Sequence, residues 1–285
     1  MGRIHVVTDS GSDLPVELRQ SLGIHVVPLT VQFGDEIFRD GVDISTAEFY
    51  TRLRQETRMP STCQPSPADF VEAYERIAQP GDTILSVHLS SKMSGTYQSA
   101  VLASTMIDPQ IAVKAIDSKA ASLGTGVVAL TAAEAVQAGK AVEEILEDVQ
   151  RTIEHMQVYF VVDTLEYLQK NGRIGLASAL VGTLLNIKPV LTLVDGQVAP
   201  FEKIRGRAKA LKRLRELGTA FRERHPDRQL KAAISHADNL KEAEALAQAL
   251  PDILDLEHEV VLGDIGPTIG VHTGPGTIAV FLYIY

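Results

Sequence analysis

The first thirty residues place a strand, a polar turn, a helix and a second strand in succession, and this order restricts the fold more than any other feature. The apolar run at residues 4–7 predicts a short buried strand, and it ends at the polar turn 8–13. A helix is predicted at 16–22, stopped by a glycine, and a second strand at 24–31. Such a βαβ unit predicts a parallel sheet.

The alternation of strand and helix continues to about residue 155. Strands predicted at 83–87 and 111–116 are each followed by a helical segment, at 95–106 and 120–153. We therefore expect residues 1–155 to form a Rossmann-like α/β domain with a parallel sheet. The segment at about 33–60 lies outside this pattern and is a candidate to cross to the other domain.

The second half has a different pattern, because its strands follow one another more closely. Asp195-Gly196 between two apolar runs predicts a β-hairpin. Pro251 is expected to end one of the helices. The segments predicted are strands at 158–162, 187–193, 197–201, 232–235, 254–262 and 277–283, and helices at 209–222 and 240–250. Residues 156–285 are therefore expected to form an α+β domain with a mainly antiparallel sheet.

Composition narrows the class of protein. A chain of 285 residues is long enough for two domains. Its single cysteine, Cys63, excludes internal disulfides and a cysteine-based metal cage. A formal net charge of −9 argues against a nucleic acid partner. No apolar run approaches the ~20 residues that span a bilayer, and the N-terminus turns polar too early for a signal peptide, so we expect a cytoplasmic protein with no integral membrane segment.

Four polar turns, at 8–13, 61–67, 90–99 and 117–126, lie next to the predicted strands. Ligands of open α/β sheets lie outside the carboxyl ends of the strands. In the first turn, Asp13 and Pro15 suit the N-cap and first turn of the following helix, so a capping role is favoured over a ligand. The turn at 117–126 is rich in small residues, and close helix packing is the favoured interpretation there.

The other two turns are better candidates for a site. Ser66 is expected to cap a helix that begins at Pro67, which leaves Thr62 and Gln64 free to face a cleft. The turn at 90–99 is dense in hydroxyl groups, and the backbone N–H groups of the helix that follows favour an anion. Capping explains one or two of these hydroxyls but not all of them.

The segment 266–276 presents His272 among glycines, prolines and threonines before the last strand. Glycine lets backbone approach a ligand and threonine adds donors, so a rigid, polar, anion-binding turn is one interpretation. The other is a Gly/Pro-rich turn with a solvent-exposed histidine.

A catalytic interpretation joins Ser94, as nucleophile, with His272 as base. The G-x-S-x-G elbow of α/β-hydrolases is absent, because Lys92 and Thr96 stand where glycine is needed. Phosphate-loop, dinucleotide and H-E-x-x-H motifs are also absent. Asp264 is a possible orienter of the imidazole by sequence proximity alone. Hydroxyls and one histidine therefore suit holding a carboxylate or phosphate better than breaking a bond.

Six ordered segments give the chain a resemblance to the DegV family, the fatty-acid-binding subunits of bacterial fatty acid kinases. The resemblance runs nearly end to end. It is carried by Val7-Thr8-Asp9-Ser10 with Asp13-Leu14-Pro15, Ser61 to Ser66, Ser94 to Ala100, Leu168 to Ile174, Ile187-Lys188-Pro189, and Gly266-Pro267 with His272 to Gly276. Two positions depart from it: Cys63 stands where serine is usual, and Asn171 where glycine is common.

The resemblance implies a DegV-like pair of domains with a long-chain fatty acid in an apolar tunnel between them. It implies that Thr62, Ser94 and His272 hold the carboxylate, with no catalytic residue or metal. Residues implied to lie close to the ligand are Gly95, Thr96 and Thr273, and those implied to meet the partner or the transferred phosphate are Arg173 and Arg205. The partner is implied to be a kinase catalytic subunit that brings ATP and magnesium and phosphorylates the carboxylate, in bacterial phospholipid metabolism, while this chain is a non-enzymatic presenting subunit.

Two other functions stay open at this stage. One is a stand-alone serine hydrolase that uses Ser94 and His272, and ester hydrolysis without partner or ATP would identify it. The other is a carboxylate sensor that acts through protein contacts alone.

Overall fold

A computed structural model describes residues 2–181 and 187–284 of the chain. Strands and helices follow in the order β1 (Ile4–Asp9), α1 (Val16–Ser21), β2 (Ile24–Val27), β3 (Thr30–Phe33), β4 (Glu36–Arg39), α2 (Thr46–Gln55), β5 (Ser61–Cys63), α3 (Pro67–Ile77), β6 (Thr83–His88), α4 (Thr96–Ser104), β7 (Ala112–Asp117), α5 (Leu123–Gln137), α6 (Val142–His155), β8 (Gln157–Val161), α7 (Glu166–Lys170), β9 (Ile187–Val194), β10 (Gln197–Arg205), α8 (Arg207–Arg224), β11 (Leu230–His236), α9 (Leu240–Ala247), α10 (Leu250–Leu254), β12 (Val261–Asp264), α11 (Pro267–Thr273) and β13 (Ile278–Ile284). Short 3-10 turns lie at Ser10–Ser12 and Gly175–Leu180.

The strands form the two main sheets that the sequence predicts, so the expected fold class is confirmed. The first sheet is wholly parallel, with the order β2-β1-β6-β7. The second has the order β10-β9-β8-β13-β11-β12 and is antiparallel except for β11 with β12. The hairpin at Asp195-Gly196 is confirmed between β9 and β10, and both of its residues have positive φ.

Helix α5 lies between the two main sheets and joins their cores. It contacts β1 and β6 of the parallel sheet and β11 of the second sheet. Val127 belongs to the same buried cluster as Leu85 of β6 and Phe281 of β13. Helix α5 is therefore buried on almost every side, which explains why its sequence is apolar throughout rather than periodic.

A third, antiparallel sheet has the order β4-β3-β5; β4 lies within the segment 33–60 that was a candidate to cross between domains, and β3 and β5 lie at its two ends. Together with α2 it packs on α11, near the end of the chain. Phe33 and Phe49 share a buried cluster with Ile269 and Val271. The domain boundary at residues 155/156 stays a prediction.

Two predicted elements are each divided in the structure. The strand predicted at 24–31 ends at Val27, and Thr30 starts a strand of the third sheet; Pro28, between them, has no N–H for a ladder. The helix predicted at 120–153 is two helices, α5 and α6, with Gly139 in a left-handed conformation between them.

Three local predictions were wrong. Asp13 does not cap α1, which follows Pro15 without a side-chain cap; its carboxylate instead accepts hydrogen bonds from Ser122 and from the backbone N–H of Gly266. Pro251 does not simply end a helix, because it lies in the first turn of α10, where a missing N–H costs nothing. The strand expected from residue 254 begins at Val261.

Replacing Gly270 by alanine is expected to destabilise the protein. A Cβ at this position in α11 would lie 2.7 Å from Phe49 Cε1 and 2.7 Å from the hydroxyl oxygen of Tyr50. Overpacking of about 1–3 kcal/mol should outweigh the ~1 kcal/mol that alanine gains over glycine in a helix. Chemical denaturation measures the change.

Gly218→Ala is the matched control, because the nearest atom to its Cβ in α8 is a leucine methyl at 3.2 Å. We expect it to cost less than Gly270→Ala. A Gly270→Ala protein as stable as the wild type would contradict this account of the α2–α11 contact.

Candidate functional site

A hydrogen bond between Thr62 and His272 lies at the centre of the candidate site. Thr62 Oγ1 is 2.9 Å from His272 Nε2, and the two residues are 210 positions apart in the chain. Thr62 is held by β5, where it pairs with Val31 of β3. Because α11 packs on both β3 and β5, the third sheet brings the threonine to the histidine.

His272 belongs to a helix rather than to the turn that the sequence suggested. Helix α11 starts at Pro267 and ends before Gly274, which has a φ of 73°. At its N-terminus, the N–H of Gly266 donates to Asp13, and the N–H and hydroxyl of Thr268 donate to Asp40. Two carboxylates distant in the chain therefore satisfy orphan N–H groups and suit the positive end of the helix.

Ser94 lies in the turn that follows β6 and also lines the cavity beside the Thr62–His272 pair. Its Oγ is 2.8 Å from Thr96 Oγ1 and accepts the backbone N–H of Thr96 at 3.3 Å. Ser90 anchors the turn, since its hydroxyl donates to the carbonyl of Gly196 at the tip of the β9–β10 hairpin. The hydroxyl-rich turn of the first half is thus fixed to the second half of the chain.

An apolar cavity opens behind these polar groups. The centres of water-sized spheres can occupy about 190 Å³ of this cavity. Alternate residues of β8 and β13 form one wall, because only one face of a strand can point inward. The apolar lining includes Val158, Phe160, Ala279, Phe281, Leu193, Val198, Leu168 and Ile269.

The segment after α7 contributes to the mouth of the cavity. Asn171 Nδ2 donates to the carbonyl of Val271 at 2.9 Å, next to His272. Arg173, which lines the cavity, donates from Nε to the carbonyl of Met93 and from a terminal nitrogen to the carbonyl of Asn171. A guanidinium group therefore lies next to the turn that carries Ser94.

Burial and the positive charge of Arg173 lower the pKa of His272 to about 4. The imidazole is therefore neutral at neutral pH. Its Nδ1 is buried without a hydrogen-bond partner among residues 2–181 and 187–284. The proposed orienter, Asp264, lies instead beside His236, 3.5 Å from its Nδ1. Sequence proximity was misleading here, because the Asp264 carboxylate has His236 rather than His272 as its histidine neighbour.

The other predicted residues differ in whether they line the cavity. Thr273 lines the cavity, with its hydroxyl donating to the carbonyl of Ile269. Gly95 and Thr96 follow Ser94 directly but do not line the cavity themselves, and Thr96 is fully buried. Arg205 is exposed at the end of β10 and does not line the cavity.

A second serine, histidine and aspartate set was not anticipated. Ser86 Oγ is 2.7 Å from His88 Nε2, and His88 Nδ1 is 2.9 Å from Asp9 Oδ2. All three side chains are fully buried, and Tyr74 occupies the remaining side of the serine hydroxyl at 2.7 Å. With no access for a substrate, this network joins β1 to β6 and does not form a catalytic site.

Within the described ranges, no helix is long and apolar enough to cross a membrane. The same part of the chain contains no group of three or more histidine, cysteine, aspartate or glutamate side chains arranged to hold a metal ion.

Comparison with known proteins gives one family. The model of the DegV family, described as uncharacterised proteins, matches residues 3–284. A DegV domain-containing protein of Listeria innocua is 38% identical over 278 residues, which cover 97% of this chain and 96% of the relative.

Two solved structures are similar over the whole chain. A DegV family protein from Thermus thermophilus, described by its fatty acid binding, has a TM-score of 0.90 and 40% identity, and the match covers 99% of this chain and 100% of that one. DegV from Bacillus subtilis, described as a fatty acid binding protein, has a TM-score of 0.89 and 34% identity over all of both chains.

Because His272 is partly buried in its neutral form, the stability of the protein should depend on pH. An unfolded imidazole titrates near 6.5 and the folded one near 4, so between these values the unfolded state binds more protons and stability falls as pH falls. At the acid end of this window, the loss relative to a His272→Asn variant is expected to be on the order of 3 kcal/mol.

Chemical denaturation of both proteins from pH 4 to 6.5 measures this difference. Burial raises the pKa values of Asp13 and Asp40, so their contribution to stability changes with pH in the opposite direction. Both proteins contain these two residues, so this contribution cancels when the two curves are compared. Parallel curves of stability against pH would show that His272 is not buried in its neutral form.

Proposed function

The chain belongs to the DegV family, and on that premise we propose that it binds a long-chain fatty acid in the cavity, with the carboxylate held at Thr62, Ser94 and His272. The observation that carries the proposal is the Thr62–His272 hydrogen bond at the mouth of an apolar cavity. Fatty acid binding by the similar proteins from Thermus thermophilus and Bacillus subtilis supports it.

The acyl chain supplies most of the binding free energy in this proposal. Each buried methylene group contributes roughly 0.8 kcal/mol, and the walls formed by β8 and β13 are apolar. The polar mouth then fixes which end of the ligand faces outward. Binding strength comes from the tail and orientation from the head.

In the ligand-free site the pKa of His272 is lowered to about 4, so the polar mouth offers a carboxylate hydroxyl donors and the guanidinium group of Arg173. If His272 carries its proton on Nε2, it donates to Thr62 Oγ1, and the threonine hydroxyl hydrogen is free for the ligand. Ser94 Oγ accepts the N–H of Thr96. When the Thr96 hydroxyl also donates to it, the serine hydrogen is free as well. Both hydroxyls are thus set up as donors.

We further propose that this chain presents the bound carboxylate to a partner kinase subunit, which brings ATP and magnesium and forms the acyl phosphate. Arg173, which lines the cavity, is proposed to meet the transferred phosphoryl group, and Arg205, away from the cavity, is proposed as a docking contact. In this scheme the chain itself supplies no catalytic residue. We propose that the protein acts in the cytoplasm.

The hydrolase alternative is not supported by the geometry. Ser94 is hydrogen-bonded to Thr96 and His272 to Thr62, so the nucleophile and base are not paired with each other. No carboxylate of the described residues orients His272 at Nδ1.

We expect Ser94→Ala and His272→Ala to reduce acyl-phosphate formation more than fatty acid uptake. Each change removes a group that orients the carboxylate and leaves the apolar cavity intact. The measurement is acyl-phosphate formation with ATP, magnesium and a kinase subunit that supports the wild type, next to binding of the same fatty acid.

Ser104→Ala is the control, since its hydroxyl donates to a carbonyl of its own helix, α4, outside the cavity. It should match the wild type in both assays. Equal acyl-phosphate formation by Ser94→Ala, His272→Ala and wild type would refute the assignment of these residues.

A further inference from the structure

Gln64 contributes a polar group to the mouth of the cavity that the proposed carboxylate site does not use. It lies just past β5, two residues after Thr62, and lines the cavity. Its Oε1 accepts the backbone N–H of Gly95 at 3.1 Å. This contact ties the end of β5 to the turn that carries Ser94.

The Gly95 contact fixes the orientation of the Gln64 amide. A backbone N–H can only donate, so the oxygen of the amide must face Gly95 and its NH₂ group must be the other end. Gln64 is exposed to solvent, and that NH₂ group donates no hydrogen bond to another described residue. Two N–H donors are therefore available at a cavity mouth already lined by Thr62 and Ser94.

The position of Gly95 supports the same arrangement. A Cβ at Gly95 would lie 2.5 Å from both Nε2 and Oε1 of Gln64, so the amide covers the space that a side chain would take. The φ of Gly95 is −77°, which alanine adopts readily. Backbone conformation does not require glycine here; the Gln64 amide does.

We propose that Gln64 donates an amide N–H to the carboxylate of the bound ligand, as a third neutral donor beside Thr62 and Ser94. The inference rests on the proposed function. An ionised carboxylate offers about four acceptor sites, and burying it without enough donors is unfavourable. The two hydroxyls leave part of this requirement unmet, and the Gln64 amide supplies further donors beside the guanidinium group of Arg173.

Gln64→Glu tests whether the Gln64 amide lies against the ligand carboxylate or has a purely structural role. A glutamate keeps an oxygen for the N–H of Gly95 but replaces the NH₂ donor by a charged oxygen that repels a carboxylate. We expect the affinity for stearic acid at neutral pH to fall at least about tenfold. Octadecanol has the same chain without the charge, and its affinity should change less than about twofold.

Gln20→Glu makes the same charge change on exposed α1, outside the cavity, and should bind both ligands as the wild type does. Equal affinity of wild type and Gln64→Glu for stearic acid would overturn the inference. An equal loss for acid and alcohol would overturn it too, because that result indicates a distorted mouth.

A double-mutant cycle tests the role of Gly95. Gly95→Ala should displace the amide and weaken stearic acid binding about as much as Gln64→Ala, and the double variant should be no weaker than either single one. Additive losses would contradict the proposal. If the wild type binds no stearic acid, the proposed function fails; if it binds and Gln64→Glu binds equally well, only this inference fails.

Discussion

The placement of the short helix α11 is the constraint on which the candidate site depends. Its N-terminal N–H groups are held by Asp13 and Asp40, and the carbonyl of Val271 near its C-terminus is held by Asn171. His272 is thereby brought to Thr62. Each partner comes from a different, distant segment, so the polar mouth exists only when the third sheet and the loop after α7 have packed on the helix. Fold and site are therefore stabilised by the same contacts.

The parts of the fold that local pattern determines could be predicted from the sequence. Alternation of strands and helices predicted the parallel sheet, and Asp195-Gly196 predicted the β9–β10 hairpin of the second sheet. The serine before Pro67 caps α3 as expected. Elsewhere tertiary contacts decided the outcome: Asp13 looks like a helix cap in sequence, but its carboxylate binds Gly266, 253 residues away. A contact between residues so far apart in the chain produces no local periodicity in the sequence.

The site shows the same division. Thr62, Ser94 and His272 could be named from their motifs, and the structure places all three around one cavity. The roles of Asn171 and Gln64 depend on which backbone groups they reach in space, so residue type alone could not reveal them. The tunnel walls were also beyond prediction, because apolar residues that face a cavity and those that face a core have the same pattern. In the structure, the same face of β8 and of β13 belongs to the buried core and also lines the cavity.

A polar mouth that holds a carboxylate and an apolar cavity that holds an acyl chain together predict which kind of natural ligand the protein binds. Native extraction of the purified protein, followed by mass spectrometry of the small molecule that co-purifies, tests it most directly. The account predicts a long-chain fatty acid in a one-to-one ratio with the protein. A protein that is isolated empty and also fails to take up added fatty acid would contradict it.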